Sequence, residues 1–335
     1  MHRRRFLTAA LSLAAAGSIR PALADPVALR IIRPLDLVAL PLLIMEHEHL
    51  IERTAEAMAV SGLTVTWSTP NKTDPLAALA AGQSDLVAAD LVPFMLAADT
   101  TTGTLGEVRA VGALAQRPYV LVSRNPAVQT IRDFTNADRI AVPDLKVSGP
   151  AVMLEYAAAQ EWGPEHFDKL DPLVVARPDA TAMAALISGK GDVNAHFSRT
   201  PFVDNELGDP AIHRIMDSFD IAGPHSAAVV AMTTRFRTGN PTLCAAILSA
   251  LQQADDFMHK TPGAAAEIFS AMVKDWDIPL EDLSDMIGDP DLAYTAAPVG
   301  VMRLGNFMHQ IGRLKRQPTD WQNFFLPESR DLKGN

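Results

Sequence analysis

One thirteen-residue pattern is written twice in this chain, 107 positions apart, and that repetition limits the fold more than any other feature. Ala77-Ala78-Leu79-Ala80-Ala81-Gly82-Gln83-Ser84-Asp85-Leu86-Val87-Ala88-Ala89 returns as Ala184-Ala185-Leu186-Ile187-Ser188-Gly189-Lys190-Gly191-Asp192-Val193-Asn194-Ala195-His196. Each copy reads as a small-residue helix opened by a capping residue, Asp74 before Pro75 or else Thr181. Gly82 or Gly189 takes the left-handed conformation that ends the helix, and a short strand follows the aspartate. A Pro-Phe pair comes next in both, Pro93-Phe94 and Pro201-Phe202. Two such α/β units predict two similar lobes whose strand ends face a common crevice.

The rest of the chain alternates strand and helix, which predicts α/β layers around mostly parallel sheets. Leu29–Ile32 and Leu63–Trp67 read as strands, with helices from Leu42 to Ala59 between them. Two strand-like stretches look like crossings between lobes: Val108–Val122, interrupted at Gln116-Arg117-Pro118, and Ile212–Met232, interrupted at Ile221–His225. Residues 25–118 and 221–335 then form a discontinuous first lobe and 119–220 a second, with a cleft that closes about the crossings. After Thr233 the chain reads as helical, with amphipathic stretches at Thr242–His259, Pro262–Trp276 and Met302–Leu314.

Residues 1–24 read as an export address. Arg3-Arg4-Arg5 precede an apolar run from Phe6 to Ala16, and Pro21-Ala22-Leu23-Ala24 supplies small residues for cleavage after Ala24. The apolar run is short for a membrane span. Arg3-Arg4-Arg5-Phe6-Leu7 fits both an ordinary secretion signal and a twin-arginine signal, and the residues leave both routes open. Without these residues 25 basic side chains stand against 39 acidic ones, a net charge of −14. That balance argues against nucleic acid and against an anionic membrane surface as partners. The single cysteine, Cys244, permits no internal disulfide, and its apolar surroundings read as packing. No cysteine lies near the cleavage site, so no lipoprotein anchor is expected, and the address is the periplasm.

Further along, Asp133-Phe134 and Arg139-Ile140-Ala141-Val142-Pro143 resemble the D-L-x-G-x-x-I-A-V-P segment of periplasmic solute-binding proteins. The branch is that of ABC importers for nitrate, sulfonates, taurine and thiamine precursors. The Gly-x-x-Asp turns at Gly82/Asp85 and Gly189/Asp192 stand at matching places. So do Phe307-Met308-His309 with Ile311-Gly312, and Trp321 with Phe324–Glu328. Asn136-Ala137-Asp138 replaces the Gly-Lys turn usual in the family. The resemblance implies a two-lobed (type II) periplasmic binding protein with a hinge of two crossing strands. It implies a monomer that captures a small molecule and delivers it to an inner-membrane ABC permease with its ATPase.

Ligands of open α/β sheets sit beyond the carboxyl ends of the strands. That rule selects five segments. The first is Leu35-Asp36-Leu37 after the opening strand, where Asp36 reads as ligand contact or helix cap. The second is Asp90-Leu91 after the first repeat strand, where an Asx-turn is the competing role. The third is Lys146-Val147-Ser148-Gly149 before Pro150. A helix beginning there and running to Trp162 would aim unpaired N–H groups at an anion, or Ser148 would simply cap it. The fourth is His196-Phe197-Ser198-Arg199, in which imidazole, guanidinium and aromatic ring suit an organic anion. The fifth is the pair of interruptions, with Arg117, Tyr119 and His225.

No cofactor or metal is expected. His47 and His49 are two apart and diverge on a helix, and no nucleophile elbow, phosphate loop, His-Glu-x-x-His motif or cysteine cluster occurs. The leading expectation is capture of a small organic solute, sulfonate- or carboxylate-like. The alternatives are an enzyme on the same fold acting on a thiamine- or quinone-precursor-like metabolite, and a sensory protein docking on a receptor.

Overall fold

The computed structural model describes residues 27–70, 74–274, 276 and 278–335. The expected leader, residues 1–24, lies outside the described residues. Among the described residues ten strands form two five-stranded sheets of matching design. The strands are β1 (Ala28–Ile32), β2 (Thr64–Ser68), β3 (Leu86–Asp90), β4 (Val108–Gln116), β5 (Val120–Ser123), β6 (Ile140–Val142), β7 (Val174–Ala176), β8 (Ala195–Ser198), β9 (His213–Asp217) and β10 (Ser226–Thr233). The first sheet runs β2-β1-β3-β10-β4 and the second β7-β6-β8-β5-β9.

In each sheet the two pairs within the leading triplet are parallel, and the next strand runs antiparallel to both of its neighbours. The sheets are therefore mixed rather than simply parallel. The reversed strand in each, β10 or β5, is the one that arrives from the other lobe. Its direction follows from that crossing.

Composition follows position in the sheet. Edge strand β2 alternates Thr and Ser with Val and Trp and is nowhere fully buried. Central β3 and β10 read Leu-Val-Ala-Ala and Ser-Ala-Ala-Val-Val-Ala-Met, apolar on both faces and covered on both. One face of the first sheet packs on the helices Leu40–His47, Leu50–Ala57 and Pro241–Lys260, around Leu43, Ile44, Ile247 and Leu251. Cys244 is buried there, its thiol pushed up to about 12 by burial. The other face packs on the helices Leu91–Thr101 and Val301–Gln310, in a cluster that continues into Val152 and Met153 of the second lobe.

Both repeat helices end as their glycines predict, with φ of 69° at Gly82 and 63° at Gly189. Asp74 caps the first, accepting from the Ala77 amide at 2.9 Å. Thr181 does not cap the second. That helix starts at Asp179, after Pro178, and Thr181 lies within it.

Neither lobe connection is a continuous strand. The first is Arg117-Pro118-Tyr119; the second is Ser218–His225, which includes a short helix, Ser218–Ala222. The two are hydrogen-bonded to each other. The Tyr119 amide donates to Ser218 Oγ at 2.8 Å and the Ser218 amide donates to the Tyr119 carbonyl at 2.8 Å. A second contact joins the lobes where the helix Gly149–Trp162 meets the helix Val301–Gln310. Tyr156 packs edge-on to Phe307 with centroids 4.8 Å apart, and Arg313 pairs with Glu155. An edge-on aromatic pair contributes about 0.5–1.5 kcal/mol beyond its buried area.

Candidate functional site

The parallel triplets of both sheets end toward the gap between the lobes, and the ends of the two repeat strands meet there. Asp90 is the last residue of β3 and Arg199 directly follows β8. Arg199 Nη1 stands 3.9 Å from Asp90 Oδ2, an ion pair across the lobes. Asp90 opens the helix Leu91–Thr101 without a side-chain capping bond, so the Asx role does not hold here. Its side chain keeps 43% of its exposure.

Arg199 is held from behind by a buried chain of charges. Its Nε donates to Asp179 Oδ2 at 2.7 Å. The other Asp179 oxygen lies 3.4 Å from His196 Nε2, and His196 Nδ1 lies 2.6 Å from Glu206 Oε1. Burial alone would lower the His196 pKa, but the hydrogen bonds to Asp179 and Glu206 outweigh it and raise it. Burial would likewise raise Asp179, yet His196 and Arg199 hold it below the usual carboxylate range. Burial opposes the charge on Arg199, and Asp90 and Asp179 more than restore it.

Three further groups share this electrostatic neighbourhood: Asp36, Arg117 and Tyr119. Asp36 Oδ1 caps the turn Leu37–Ala39, accepting from the Ala39 amide at 2.9 Å. Arg117 is 3% exposed, and its Nη1 makes one long hydrogen bond, 3.5 Å, to the Thr200 carbonyl. Its Nε and Nη2 find no partner among the described residues. Burial lowers the Arg117 pKa, with Arg199 adding to the effect. Burial raises Asp90, and Arg199 and Arg117 pull it back. The Tyr119 hydroxyl is pushed above its ordinary value by burial, with Asp90 adding. Beside Arg117, a cavity of about 170 Å³ opens between the lobes, walled by Thr200, Val203 and Asp204 on one side and Met286, Asp289 and Asp291 on the other.

The structure places the remaining expected residues away from open cleft. His196 is fully buried, because in β8 it alternates with Phe197 and points into the layer of helices Asp179–Ser188 and Phe202–Leu207. It positions Arg199 through Asp179 instead of lining the gap. Phe197, on the opposite face, is core and packs against Tyr119 with centroids 6.2 Å apart. Leu37 and Leu91 are core; Leu35 is half-buried.

Ser148 is the helix cap, accepting from the Ala151 amide at 3.4 Å and donating to the Asp144 carbonyl at 2.6 Å. Gly149 has no room for a ligand at its backbone, since a Cβ there would overlap the Tyr119 phenol. Tyr119 thus covers the helix N-terminus where an anion was expected. Lys146, in the left-handed region with φ 66°, turns outward to Asp171 Oδ2 at 3.8 Å. Val147 is exposed.

His225 is 2% exposed and stacks on Tyr119 with centroids 5.6 Å apart. Its Nε2 lies 2.9 Å from Ser218 Oγ. The other ring nitrogen, Nδ1, faces the Ser226 carbonyl at 3.4 Å, an acceptor, which assigns the proton to Nδ1 and leaves Nε2 of the neutral ring to accept from the Ser218 hydroxyl. Burial lowers the His225 pKa to about 4.

Sequence reasoning missed Asp179, Glu206 and the Glu155–Arg313 pair. Asp179 carried a readable signal, an acid directly after Pro178 at the start of a helix. Among the described residues no group of three or more His, Cys, Asp and Glu is arranged to hold a metal ion, and no helix is long and apolar enough to cross a membrane.

No protein-family model and no curated protein matches the sequence. Solved structures do match. The periplasmic aliphatic sulphonate-binding protein SsuA of Escherichia coli aligns with TM-score 0.67 at 16% identity, over 90% of this chain and 92% of that one. The alkanesulfonate-binding protein SsuA of Xanthomonas axonopodis pv. citri, bound to MOPS, aligns with TM-score 0.65 at 17% identity, over 88% and 96%. The periplasmic nitrate-binding protein NrtA of Synechocystis PCC 6803 aligns with TM-score 0.64 at 13% identity, over 89% and 84%. The architecture of this chain is that of the two-lobed periplasmic binding proteins.

Proposed function

We propose that this chain is the periplasmic substrate-binding component of an ABC importer, taking a small organic solute with an acidic group into the gap between its lobes. The single observation that carries the reading is the meeting of the two repeat strands' ends, Asp90 and Arg199, across that gap. A fold shared with sulfonate- and nitrate-binding proteins supports it. Arg199 and Arg117 supply the positive charge for the acidic group, and Leu35, Asp36 and Tyr119 border the space. Lobes 25–118 with 221–335, and 119–220, move about the two connections. The leader read in residues 1–24, with cleavage after Ala24 and no lipid anchor, fits delivery to the periplasm. A monomer there hands its ligand to an inner-membrane permease driven by an ATPase. The proposed role is binding without turnover.

The test is calorimetry of purified protein against fractionated periplasmic extract, followed by mass analysis of whatever is retained. Stoichiometric retention of one unchanged small molecule supports the reading. Chemical conversion of the retained molecule would favour an enzyme.

A further inference from the structure

The charges around the gap do not suit a ligand that is only an anion. Three carboxylates, Asp36, Asp90 and Asp179, stand among two guanidiniums, Arg117 and Arg199, and the buried His196 and Glu206 behind them offset each other. The cavity beside Arg117 carries Asp204, Asp217, Asp289 and Asp291 in its walls against Arg117 and Arg214, an excess of carboxylates there as well. A simple anion bound to Arg199 would bring a second negative charge beside Asp90, which Arg199 and Arg117 would then have to balance as well.

Asp90 also has acceptor capacity that the fold leaves unused. It caps no amide, makes no hydrogen bond among the described residues, and its contact with Arg199 is 3.9 Å, too long for one. On the other side, Arg199 Nε is engaged by Asp179, while Nη1 faces Asp90. Arg117 holds Nε and Nη2 without partners, the edge of a guanidinium that matches a carboxylate with two parallel bonds. Acceptors on the first lobe thus face donors on the second lobe and at the connection.

Resting on the transport reading above, we infer that the ligand is a zwitterion, its acidic end on Arg199 and Arg117 and its ammonium on Asp90, with Asp36 alongside. Such a molecule replaces one long ion pair by two short charge-assisted contacts, one to each lobe. Recognition and closure then become one event, because neither lobe alone satisfies both ends. A ligand with only an amine would leave the Arg117 edge buried and unpaired.

The experiment uses ω-amino carboxylates of two to six carbons, the chain-matched carboxylates and the chain-matched alkylamines. Each is titrated by calorimetry into wild type, Asp90→Asn and Arg199→Gln, and the molecule released on denaturing freshly prepared wild type is analysed for basic nitrogen. At least one amino carboxylate should bind, with its carboxylate and amine counterparts at least tenfold weaker. Asp90→Asn should weaken the amino carboxylate about tenfold or more while leaving the plain carboxylate unchanged or stronger. Equal binding of the plain carboxylate, indifference to Asp90→Asn, a released molecule without basic nitrogen, or no binding by any member of the series overturns the zwitterion. An amine-free acid bound tightly would do so while leaving the transport reading intact. That reading fails separately, if wild type retains no small molecule from any periplasmic fraction.

Discussion

Asp90 and Arg199 stand at the ends of the two repeated strands, two positions out of the repeat's register and on opposite lobes, with Oδ2 and Nη1 3.9 Å apart. The repeat in the sequence is therefore also a pair of facing surfaces in space. Arg199 is oriented by Asp179, His196 and Glu206, all within the second lobe, so its position is set before the lobes meet.

Arg199→Ala should weaken binding of the molecule that co-purifies with the wild type by about tenfold or more, since a charge-assisted hydrogen bond contributes about 1.5–3 kcal/mol. Isothermal titration measures this, and circular dichroism should show an unchanged fold. His196→Gln should weaken binding less and mainly lower stability, because His196 acts on Arg199 only through Asp179.

Gly149→Ala should destabilise the protein by about 1–3 kcal/mol, the usual cost of overpacking. The added methyl meets the Tyr119 ring, which is clamped between His225 and Phe197 and cannot swing aside. A denaturant melt reads the loss. Tyr119→Ala in the same chain should restore room and make the alanine nearly neutral in that background.

His225 is neutral in the fold, its pKa lowered to about 4 by burial. The unfolded chain takes up a proton near pH 6.5, so the contribution of His225 is complete above that pH and is lost as the pH falls toward 4. The expected size is on the order of 3 kcal/mol. The stability gap between wild type and His225→Gln, from urea melts, should shrink on going from pH 7.5 to pH 4.5.

Asp255 has the opposite sign. Its carboxyl, buried with Oδ2 accepting from the Ala296 amide at 2.7 Å and Oδ1 unpartnered among the described residues, is raised to about 7 by burial. The folded state then holds a proton that the unfolded state has released, and stability from this group falls as pH rises from about 4 to 7. Asp255→Asn should stabilise the protein at pH 8, by about 1–3 kcal/mol, with the advantage gone by pH 4.

Arg313→Ala removes the partner of Glu155 and leaves a buried carboxylate at the contact between the lobes. The helix Gly149–Trp162 should then part from Val301–Gln310, and small-angle scattering of the ligand-free variant should give a larger radius of gyration than wild type. An unchanged radius would mean that the remaining contacts, Tyr156–Phe307 and Arg199–Asp90 among them, hold the lobes together without this ion pair.

Much of the fold is legible because its signals are local. Gly82 and Gly189 end helices, Pro150 stands in the first turn of its helix, and the breaks at Arg117-Pro118 and Gly223-Pro224 fall where the chain changes sheets. The reversed direction of β5 and β10 was not legible, since strand direction depends on which lobe the chain has just left. The site was legible only in part for the same reason. Strand ends identify Asp90 and Arg199, but which face of β8 meets solvent is decided by helices on either side of it, and these bury both His196 and Phe197. That Tyr119 fills the space over Gly149 depends on a contact between residues thirty positions apart, which no local pattern announces.

The most direct measurement is native mass spectrometry of the protein freshly isolated from periplasm without denaturation. The account predicts a one-to-one complex with a single small molecule, lost on unfolding and lost from Arg199→Ala isolated in the same way. The bare chain alone, both as isolated and after incubation with periplasmic extract, would contradict it.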